Sequence, residues 1–369
     1  MKLLCIPTGS MGAGGAETFM MKLFRVIDEQ ELHMDFCVAV DHECLYDREI
    51  LERGSKLFHI TPKSVDVKQY KSGLSKLLRA EQYDIVLRLG DTCFSFYDLW
   101  IAKKCHVPVL AFRSCNSSFD GSKFQLFIHK ALRGILSRFI NIKIAPSTEA
   151  AEFTFGKRLV KQNKIHILHN GLILQNFQYS QQAAVDIRKE FRIEDKFVIG
   201  HIGRFFHQKN HAFLIDVFAE IVKVRKDAIL MLVGSGELQK DIQLKVERDG
   251  LTDHVIFTGV RKDIGNILSA MDVFVFPSLF EGMPNAVIEA QANGLHCFVS
   301  DTITKEANIS GLVTYLPLEC GAKKWADKIL ASDIRRVDTT EAFIKNKYEI
   351  NAVAEEFVSL LRGGINGKE

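Results

Sequence analysis

The sequence of 369 residues lacks several features that mark specialised classes of protein. No apolar stretch approaches the ~18–20 residues of a membrane-spanning helix, and the apolar run in the opening MKLLCIP is too short for a secretory signal. The net charge of +3 is too small to indicate nucleic-acid binding. The eight cysteines include no C-x-x-C pair and lie mostly in apolar runs, which argues against a zinc site or a disulfide framework. We therefore expect a cytoplasmic protein with reduced cysteines.

Short apolar runs alternate with longer helical patterns along the whole chain. The runs are continuous, which is typical of strands buried on both faces of a parallel sheet, and they recur every ~20–30 residues, as repeated βα units do. The runs are 2–7, 34–40, 56–60, 84–90, 108–112, 142–147 and 164–170, then 197–204, 228–234, 254–259, 272–278, 296–301 and 313–318. The pattern predicts an α/β protein with doubly wound parallel sheets.

The alternation is interrupted by a polar stretch between about 174 and 196. A chain of this length exceeds the ~250–300 residues at which one core usually splits into domains. We therefore predict an N-terminal domain over 1–175, a second domain over 176–345 and a C-terminal segment over 346–369. Each of the two larger pieces is long enough for its own doubly wound domain.

Glycines crowd the turns after several predicted strands. Gly14 and Gly15 follow the first strand and precede a helix predicted to begin near Ala16, while Gly234 and Gly236 stand between a strand and a helix. Glycine allows a close backbone approach to a ligand, and a helix N-terminus offers N–H groups to an anion. The first turn fits neither G-x-G-x-x-G nor a Walker loop, so it is equally consistent with a flexible βα turn. Backbone near Val260 and Arg261 is a further candidate, as a contact for a planar base.

Two cations follow the strand predicted over 197–203. Gly203 ends that strand, Arg204 comes next, and Lys209 stands five residues later before a helix. Ligands of parallel sheets bind beyond the carboxyl ends of the strands, where a guanidinium can hold a diphosphate in bidentate fashion and an ammonium acts as a point charge. The alternative is a solvated charged loop, and the position at the sheet edge favours the diphosphate site.

The stretch SLFEGMPNAVIEAQANG, 278–294, places two glutamates around a helix start. Pro284 suits a first helical turn because its missing N–H is not needed there, so Glu281 lies in the preceding loop. Glu289 then lies ~6–8 Å farther along the helix axis, a separation that suits a ligand of two sugar rings joined by a diphosphate. The amides at the positive end of this helix dipole belong to Gly282, Met283 and Asn285.

Taken together, these motifs resemble the retaining GT-B glycosyltransferases of family 4, also called group 1. Glu281 and Glu289 match the E-x7-E motif of that family. The other stretches that carry the resemblance are GGAE (14–17), HIGRFFHQKNH (201–211), LVGSGE (232–237), VIFTGVRKDI (255–264), DVFVFPSLFEGMPNAVIEAQANGL (272–295) and VSDTIT (299–304). The resemblance spans nearly the whole chain and is closest to bacterial enzymes of exopolysaccharide or capsule synthesis.

The resemblance implies a GT-B fold, in which two Rossmann-like domains face each other across a cleft. It implies that the first domain, 1–175, binds the acceptor and that the second, 176–345, binds the nucleotide sugar. A C-terminal helix, about 340–362 and within the segment 346–369 at its end, would cross back to the first domain. The resemblance also implies transfer of a hexosyl or N-acetylhexosaminyl group, with retention, from a UDP-sugar to a glycan or polyprenyl-diphosphate-linked acceptor. No cofactor and no metal are implied, and the chain contains no D-x-D triplet.

The family's pattern also assigns residue roles. Arg204 and Lys209 would neutralise the diphosphate, Glu281 would contact the donor sugar, and Glu289 would bind the ribose hydroxyls. The other donor contacts that it implies are Gly14, Gly15, Gly203, Gly234, Gly236, Val260, Arg261, Gly282, Met283, Pro284 and Asn285.

One stretch of the first domain departs from the family. FRSCNSS, 112–118, has Arg113 and Cys115 where related sequences carry histidines. Arg113 can replace a cationic phosphate contact but not a proton-shuttling imidazole, while Ser114 and Asn116 can still hydrogen-bond a sugar. The departure leaves open a second hypothesis, an inactive nucleotide-sugar-binding subunit that partners an active transferase. A nucleotide-sugar epimerase is a third, for which we identify no acid or base at the sugar ring.

The segment 122–143 combines apolar and basic residues and contains no acidic residue. Its basic residues are Lys123, Lys130, Arg133, Arg138 and Lys143, and its apolar stripe comprises Phe124, Phe127, Ile128, Leu132, Ile135, Leu136 and Phe139. The pattern suits an amphipathic helix at an anionic membrane surface, the inner face of the cell membrane, where a lipid-linked acceptor would lie. The alternative is a core helix with a solvated basic face.

Overall fold

A computed structural model describes residues 1–12, 14–115 and 122–367. The chain divides into two compact units, which are residues 1–172 with 347–369 (unit 1) and residues 173–346 (unit 2). The polar stretch between 174 and 196 contains one α-helix, 181–191, and no strand. Across the described residues, no helix combines the length and the apolar character needed to cross a bilayer.

Unit 1 contains a seven-stranded sheet in the order β3-β2-β1-β4-β5-β6-β7, in which every neighbouring pair is parallel. Its strands are β1 (Lys2–Ile6), β2 (His33–Val38), β3 (Leu57–His59), β4 (Ile85–Gly90), β5 (Val109–Ser114), β6 (Ile142–Ala145) and β7 (His166–Ile167). Its first seven helices are α1 (Gly15–Val26), α2 (Asp47–Glu52), α3 (Val67–Glu81), α4 (Phe96–Lys104), α5 (Lys123–Leu136), α6 (Thr148–Phe155) and α7 (Lys157–Lys161).

Unit 2 contains a six-stranded sheet in the order β10-β9-β8-β11-β12-β13, also parallel throughout. Its strands are β8 (Phe197–Ile202), β9 (Ala228–Val233), β10 (Val255–Gly259), β11 (Val273–Phe276), β12 (Cys297–Ser300) and β13 (Val313–Leu316). Its helices are α8 (Gln181–Phe191), α9 (His211–Val224), α10 (Gln239–Arg248), α11 (Ile264–Ala270), α12 (Asn285–Ala292), α13 (Gly321–Leu330) and α14 (Thr340–Lys345).

These two sheets confirm the predicted α/β class, and each of the predicted apolar runs overlaps one strand. The apolar runs identify the strands correctly because these strands are buried on both faces of the sheet. All six residues of β4, of β5 and of β9 are buried, so nothing in these strands alternates between core and solvent. Hydrophobic clusters then form on both sides of the unit 2 sheet, one around Trp325 and α9 and the other around Met271 and α12.

The predicted single helix over about 340–362 is wrong. The chain forms α14 in unit 2 and then a separate helix in unit 1, α15 (Ile350–Ile365). Lys347 between them has a φ of 57°, which a helix does not accommodate. Leu172 also pairs with this segment, donating its N–H to Tyr348 at 2.7 Å, and the Glu349 carboxylate caps α15. The break therefore follows from backbone pairing that the periodicity of the helices does not reveal.

The predicted helix over 122–143 is also shorter than expected. Ser122 starts α5 with a capping box that involves Gln125, and the helix ends at Leu136. Residues 137–139 form one turn of 3₁₀ helix, after which the chain enters β6. The strand limits the helix because Ile142–Ala145 pair in parallel with β5 and β7.

Candidate active site

Two neighbouring loops of unit 2 carry the predicted catalytic residues. The first loop, 203–210, follows β8 and contains Arg204 and Lys209, while the second, 277–284, follows β11 and contains Glu281. Because β8 and β11 are adjacent parallel strands, their carboxyl ends lie side by side at one edge of the sheet. The sheet topology therefore brings together residues that are 72 positions apart in the sequence.

The side chains of Lys209 and Glu281 form an ion pair across the two loops. Nζ of Lys209 lies 2.6 Å from Oε1 of Glu281, and the ammonium also lies 4.6 Å from the centre of the Phe276 ring. The side chains are 19% and 10% exposed, so they can still meet a ligand. An ammonium and a carboxylate thus stand in contact where the sequence predicts a diphosphate next to a sugar.

The residues on either side of Lys209 connect the same two loops. Gln208 accepts a hydrogen bond at its carbonyl from the Leu279 N–H at 2.8 Å, and its side-chain amide donates to the Phe280 carbonyl at 2.8 Å. Asn210 donates from its side-chain amide to the Pro277 carbonyl at 3.2 Å. These contacts hold the two loops in a defined register, so the ion pair is supported by backbone contacts on both sides. This role of Gln208 and Asn210 is not evident from the sequence, because it depends on the neighbouring loop.

Arg204 differs from Lys209 because no described residue compensates its charge. The side chain is exposed, and no ion pair joins it to any described residue; its guanidinium lies 5.4 Å from the centre of the Phe206 ring. Gly203 precedes it and packs closely, since a Cβ there would lie 2.9 Å from Nε2 of His201 and 3.3 Å from the Lys209 side chain. Within the described part of the chain, the first loop therefore presents one cation with an ion-pair partner and one without.

The helix that follows Glu281 begins one residue later than predicted. Pro284 is the N-cap residue of α12, and Asn285 is the first helical residue. Gly282 and Met283 complete the turn between Glu281 and the helix, and Met283 packs against one core cluster of unit 2. The amide groups of the first turn therefore lie immediately after the Lys209 and Glu281 pair, at the positive end of the α12 dipole. Glu289 is half-buried within α12.

The glycines after β9 are explained by contact between loops. Gly234 has a φ of 135°, and an added Cβ would clash with the carbonyl of Gly203. At Gly236 the added atom would lie 2.5 Å from the carbonyl oxygen of Phe205, whose N–H donates to the Ser235 carbonyl at 3.1 Å. These glycines let the loop after β9 pack directly on the loop that carries Arg204. Their contact with a donor stays a prediction.

Val260 and Arg261 follow β10 at the same edge of the sheet. Val260 is 73% exposed, so the surrounding backbone is open to a ligand. The Arg261 guanidinium is held by Asp263 at 2.8 Å and Glu190 at 2.6 Å, and these hydrogen bonds raise its pKa. This leaves the backbone, rather than the charged side chain, as the group that could contact a base.

Two buried histidines beneath the first loop were missed by sequence reasoning, although both lie in the stretch 201–211 that it singled out. Nδ1 of His201 donates to the Val275 carbonyl at 2.9 Å, and the His201 and His211 rings meet edge to face at 4.7 Å. Burial lowers the pKa of His211 to about 4 and that of His201 well below its usual range, and the charge of Lys209 lowers both further. Both rings are therefore neutral at physiological pH, and Lys209 carries the positive charge here.

The glycine turn of unit 1 is held by a buried carboxylate. Gly14 is the N-cap residue of α1, and Gly15 is the first residue of that helix. The side chain of Glu17 folds back over Gly14, where any Cβ would clash with it, and accepts hydrogen bonds from the backbone N–H of Thr8 at 3.2 Å and from the Thr8 hydroxyl. In the motif GGAE, the carboxylate of Glu17 therefore fixes the backbone at Thr8, which lies in the turn that precedes Gly14.

The departure from the family begins at the end of β5, where Arg113 and Ser114 are the last two residues of the strand. The Arg113 guanidinium stacks on the Phe19 ring at 4.0 Å and donates to Asn170 at 2.5 Å, and burial lowers its pKa to about 10. The Ser114 hydroxyl is buried against that of Thr154 at 2.6 Å. A direct contact of either side chain with a phosphate or sugar would require its exposure. Asn116, the third candidate there, lies outside the described residues.

Comparison with solved structures defines the class of protein. A crystal structure of HepE from Anabaena in complex with UDP matches with a TM-score of 0.81, over 98% of this chain and 100% of that one, at 17% identity. The two parallel-sheet units and this similarity define a GT-B glycosyltransferase fold, as predicted.

Comparison of sequences then shows the family. Residues 196–332 match the profile described as Glycosyl transferases group 1. The chain is 33% identical over 329 residues to a protein named as glycosyltransferase EpsF from Bacillus subtilis, covering 86% of this chain and 84% of that protein. It is 31% identical over 244 residues to the Escherichia coli UDP-Gal:alpha-D-GlcNAc-diphosphoundecaprenol alpha-1,3-galactosyltransferase, covering 64% and 62%. The chain belongs to the group 1 glycosyltransferase family.

Proposed function

We propose that this glycosyltransferase moves a hexosyl or N-acetylhexosaminyl group, with retention and without a metal ion, from a UDP-sugar to a lipid-linked glycan in exopolysaccharide or capsule synthesis. The contact between Lys209 and Glu281, with Arg204 unpaired on the same loop, is the observation that carries the proposal. The uridine nucleotide is supported by the UDP bound in HepE, and the lipid-linked acceptor by the name of the E. coli relative.

The chemistry proposed for this site is electrostatic. As the glycosidic bond breaks, negative charge accumulates on the departing diphosphate and the sugar acquires oxocarbenium character. Arg204 would bind the diphosphate in bidentate fashion, while Lys209 and the first amides of α12 would stabilise the same charge. Glu281 would orient a hydroxyl of the donor sugar, and Glu289, farther along α12, would bind the ribose hydroxyls.

A donor screen followed by a transfer assay tests the proposal. We expect one UDP-sugar among UDP-glucose, UDP-galactose, UDP-N-acetylglucosamine and UDP-N-acetylgalactosamine to stabilise the protein, by about 2.7 kcal/mol at 100 times its Kd. GDP-mannose serves as the control. The matching donor should then be consumed with a polyprenyl-diphosphate-linked sugar, and NMR should show that the product keeps the anomeric configuration of the donor. Donor binding without transfer or hydrolysis would instead support the alternative, an inactive partner subunit. The absence of the family histidine near Arg113 is the observation that favours this alternative.

A peripheral membrane location is part of the same proposal, and α5 supports it. Only His129 is buried among the 14 residues of this helix, whereas Phe124 and Phe127 are 71% and 69% exposed. A helix that packs into the core would bury its apolar stripe, so this exposure favours the membrane surface over the core alternative.

We expect the protein to float with vesicles that contain anionic phospholipid and to be released by high salt. Replacing both Phe124 and Phe127 with serine should weaken vesicle binding by about tenfold or more, because each buried phenylalanine contributes about 1.5–3 kcal/mol. Leu244→Ser is the matched control, since Leu244 is an equally open apolar side chain, 62% exposed, in unit 2. Flotation that is absent, or unchanged in the double variant, would contradict this role of α5.

A further inference from the structure

A second basic site lies in unit 1, in a groove of about 610 Å³ between the C-terminal half of α5 and the segment from Phe155 to Lys164. Six cations line the groove, namely Lys130, Arg133, Arg138, Lys157, Arg158 and Lys164, and its described lining contains no aspartate or glutamate. Only the first three of these cations belong to the basic segment 122–143 that the sequence pattern indicates.

Two of these cations are already used within the protein. The Arg133 guanidinium donates to the carbonyls of Glu152, at 2.8 Å, and Phe153 at the end of α6. Nζ of Lys157 lies 3.8 Å from the Glu152 carboxylate. These contacts fix the wall of the groove, because Arg133 bridges α5 to α6, and they leave the remaining cations available to a ligand.

The other four cations have no counter-charge among the residues that the structure describes. No ion pair joins Lys130, Arg138, Arg158 or Lys164 to any residue in the described ranges. The charge of Lys164 adds to burial in lowering the pKa of neighbouring Lys143 to about 8. Positive charges gathered in this way repel one another, and an anion in the groove would offset that repulsion.

The groove continues directly into the exposed apolar stripe of α5. Ile135 is 58% exposed and lines the groove, while Phe127 and Phe124 extend the apolar surface two and three helical turns away. A ligand that matches both parts has a compact anionic head and an apolar tail. A free nucleotide or a soluble glycan would match only the charged part.

We propose that this groove binds the diphosphate of a membrane-embedded polyprenyl carrier, while α5 lies in the membrane surface beside it. The inference rests on the proposed function, in which the acceptor is lipid-linked. It assigns α5 and the groove to recognition of the carrier, separately from the donor site in unit 2. Charge-assisted hydrogen bonds from Arg138 and Arg158 would select a diphosphate over a lipid with one phosphate.

Vesicle binding without any donor tests the inference. The vesicles are phosphatidylcholine with either undecaprenyl diphosphate or, at equal negative charge, phosphatidylglycerol. We expect tighter binding to the diphosphate vesicles, and competition by inorganic diphosphate. The variant Arg138→Ala/Arg158→Ala should lose about tenfold or more of its affinity for the diphosphate vesicles, and much less for phosphatidylglycerol. Equal binding of the unmodified protein to both vesicles would overturn the inference, because it would show general attraction to anionic lipid.

A matched variant controls for lost charge. Lys68→Ala/Arg79→Ala removes the same charge from exposed positions elsewhere in unit 1 and should bind both vesicles as the unmodified protein does. In the transfer assay, the groove variant should raise KM for the lipid-linked acceptor about tenfold and leave KM for the UDP-sugar unchanged. An unchanged acceptor KM would contradict the inference. If the unmodified protein shows no donor binding or no turnover, only the proposed function is contradicted. The vesicle assay requires neither a donor nor turnover, so it tests the groove separately.

Discussion

Replacing Lys209 with alanine should lower kcat/KM for the UDP-sugar by about 10²–10³, since removing one preorganised group that stabilises developing negative charge typically costs that much. The expected effect is large because Lys209 is held on three sides, by Glu281, by the Phe276 ring and by the hydrogen bonds of Gln208 and Asn210 to the second loop. A lysine fixed in this way needs little reorganisation during the reaction. Steady-state kinetics with varied donor measures the effect.

Glu281→Gln should reduce kcat/KM by a similar factor. In the double variant Lys209→Ala/Glu281→Gln, kcat/KM should fall by much less than the product of the two single reductions. Residues in direct contact act as a unit, because removal of either one misplaces the other.

The control is the pair of Lys223 and Glu220, which are joined at 2.5 Å on the surface of α9 with side chains 66% and 29% exposed. Lys223→Ala and Glu220→Gln should leave the kinetics unchanged. Near-normal turnover in both Lys209→Ala and Glu281→Gln would remove the proposed site.

The strands and the residues at their carboxyl ends could be predicted because the relevant information is local. A continuous apolar run identifies a strand buried on both faces, and whatever follows it stands at the ligand edge of a parallel sheet. Arg204, Lys209 and Glu281 were found in this way, from their positions after two predicted strands. Lys209 meets Glu281 because β8 and β11 are neighbours in the sheet. The apolar runs alone do not specify this strand order.

The features that the sequence did not reveal depend on packing between distant segments. Residues 340–362 resemble one helix, and only the pairing of Leu172 with the segment around Tyr348 explains why the helix is interrupted. The same limit applies to polar side chains. The sequence suggests Arg113 as a cationic contact for a phosphate, but the face of β5 that it occupies packs against Phe19 of α1. His201 lies in the predicted strand, but the apolar run alone does not reveal that its ring is fully buried against that of His211.

Arg88 is the clearest case in which a polar residue inside an apolar run indicates a partner. It lies in the middle of β4, in a run identified only as a buried strand, and a buried guanidinium requires an acid. That acid is Asp98 of α4, which is fully buried, with its carboxylate 2.6 Å from Nε of Arg88 and 2.5 Å from Nζ of Lys63. The same carboxylate accepts a hydrogen bond from the Tyr70 hydroxyl at 2.8 Å. One carboxylate thus joins β4, α3 and α4 and compensates two cations.

Asp98→Ala should therefore lower the free energy of unfolding of unit 1 by about 3–5 kcal/mol, the cost of leaving a buried charge unpaired. The effect should extend to the turn before Gly14, because Arg88 also donates to the carbonyls of Ile6, at 3.2 Å, and Pro7. Denaturation by guanidinium, followed by hydrogen exchange of the β1 and β4 amides, measures the loss.

The control for this prediction is Asp41→Ala, whose side chain is 98% exposed and which should change stability by no more than about 0.5 kcal/mol. Replacing Asp98 and Arg88 together with leucine and methionine should cost less than Asp98→Ala alone, because no guanidinium then stays unpaired. A double variant as unstable as Asp98→Ala would instead mean that Lys63, whose pKa is already lowered by burial, is the cation that needs the carboxylate.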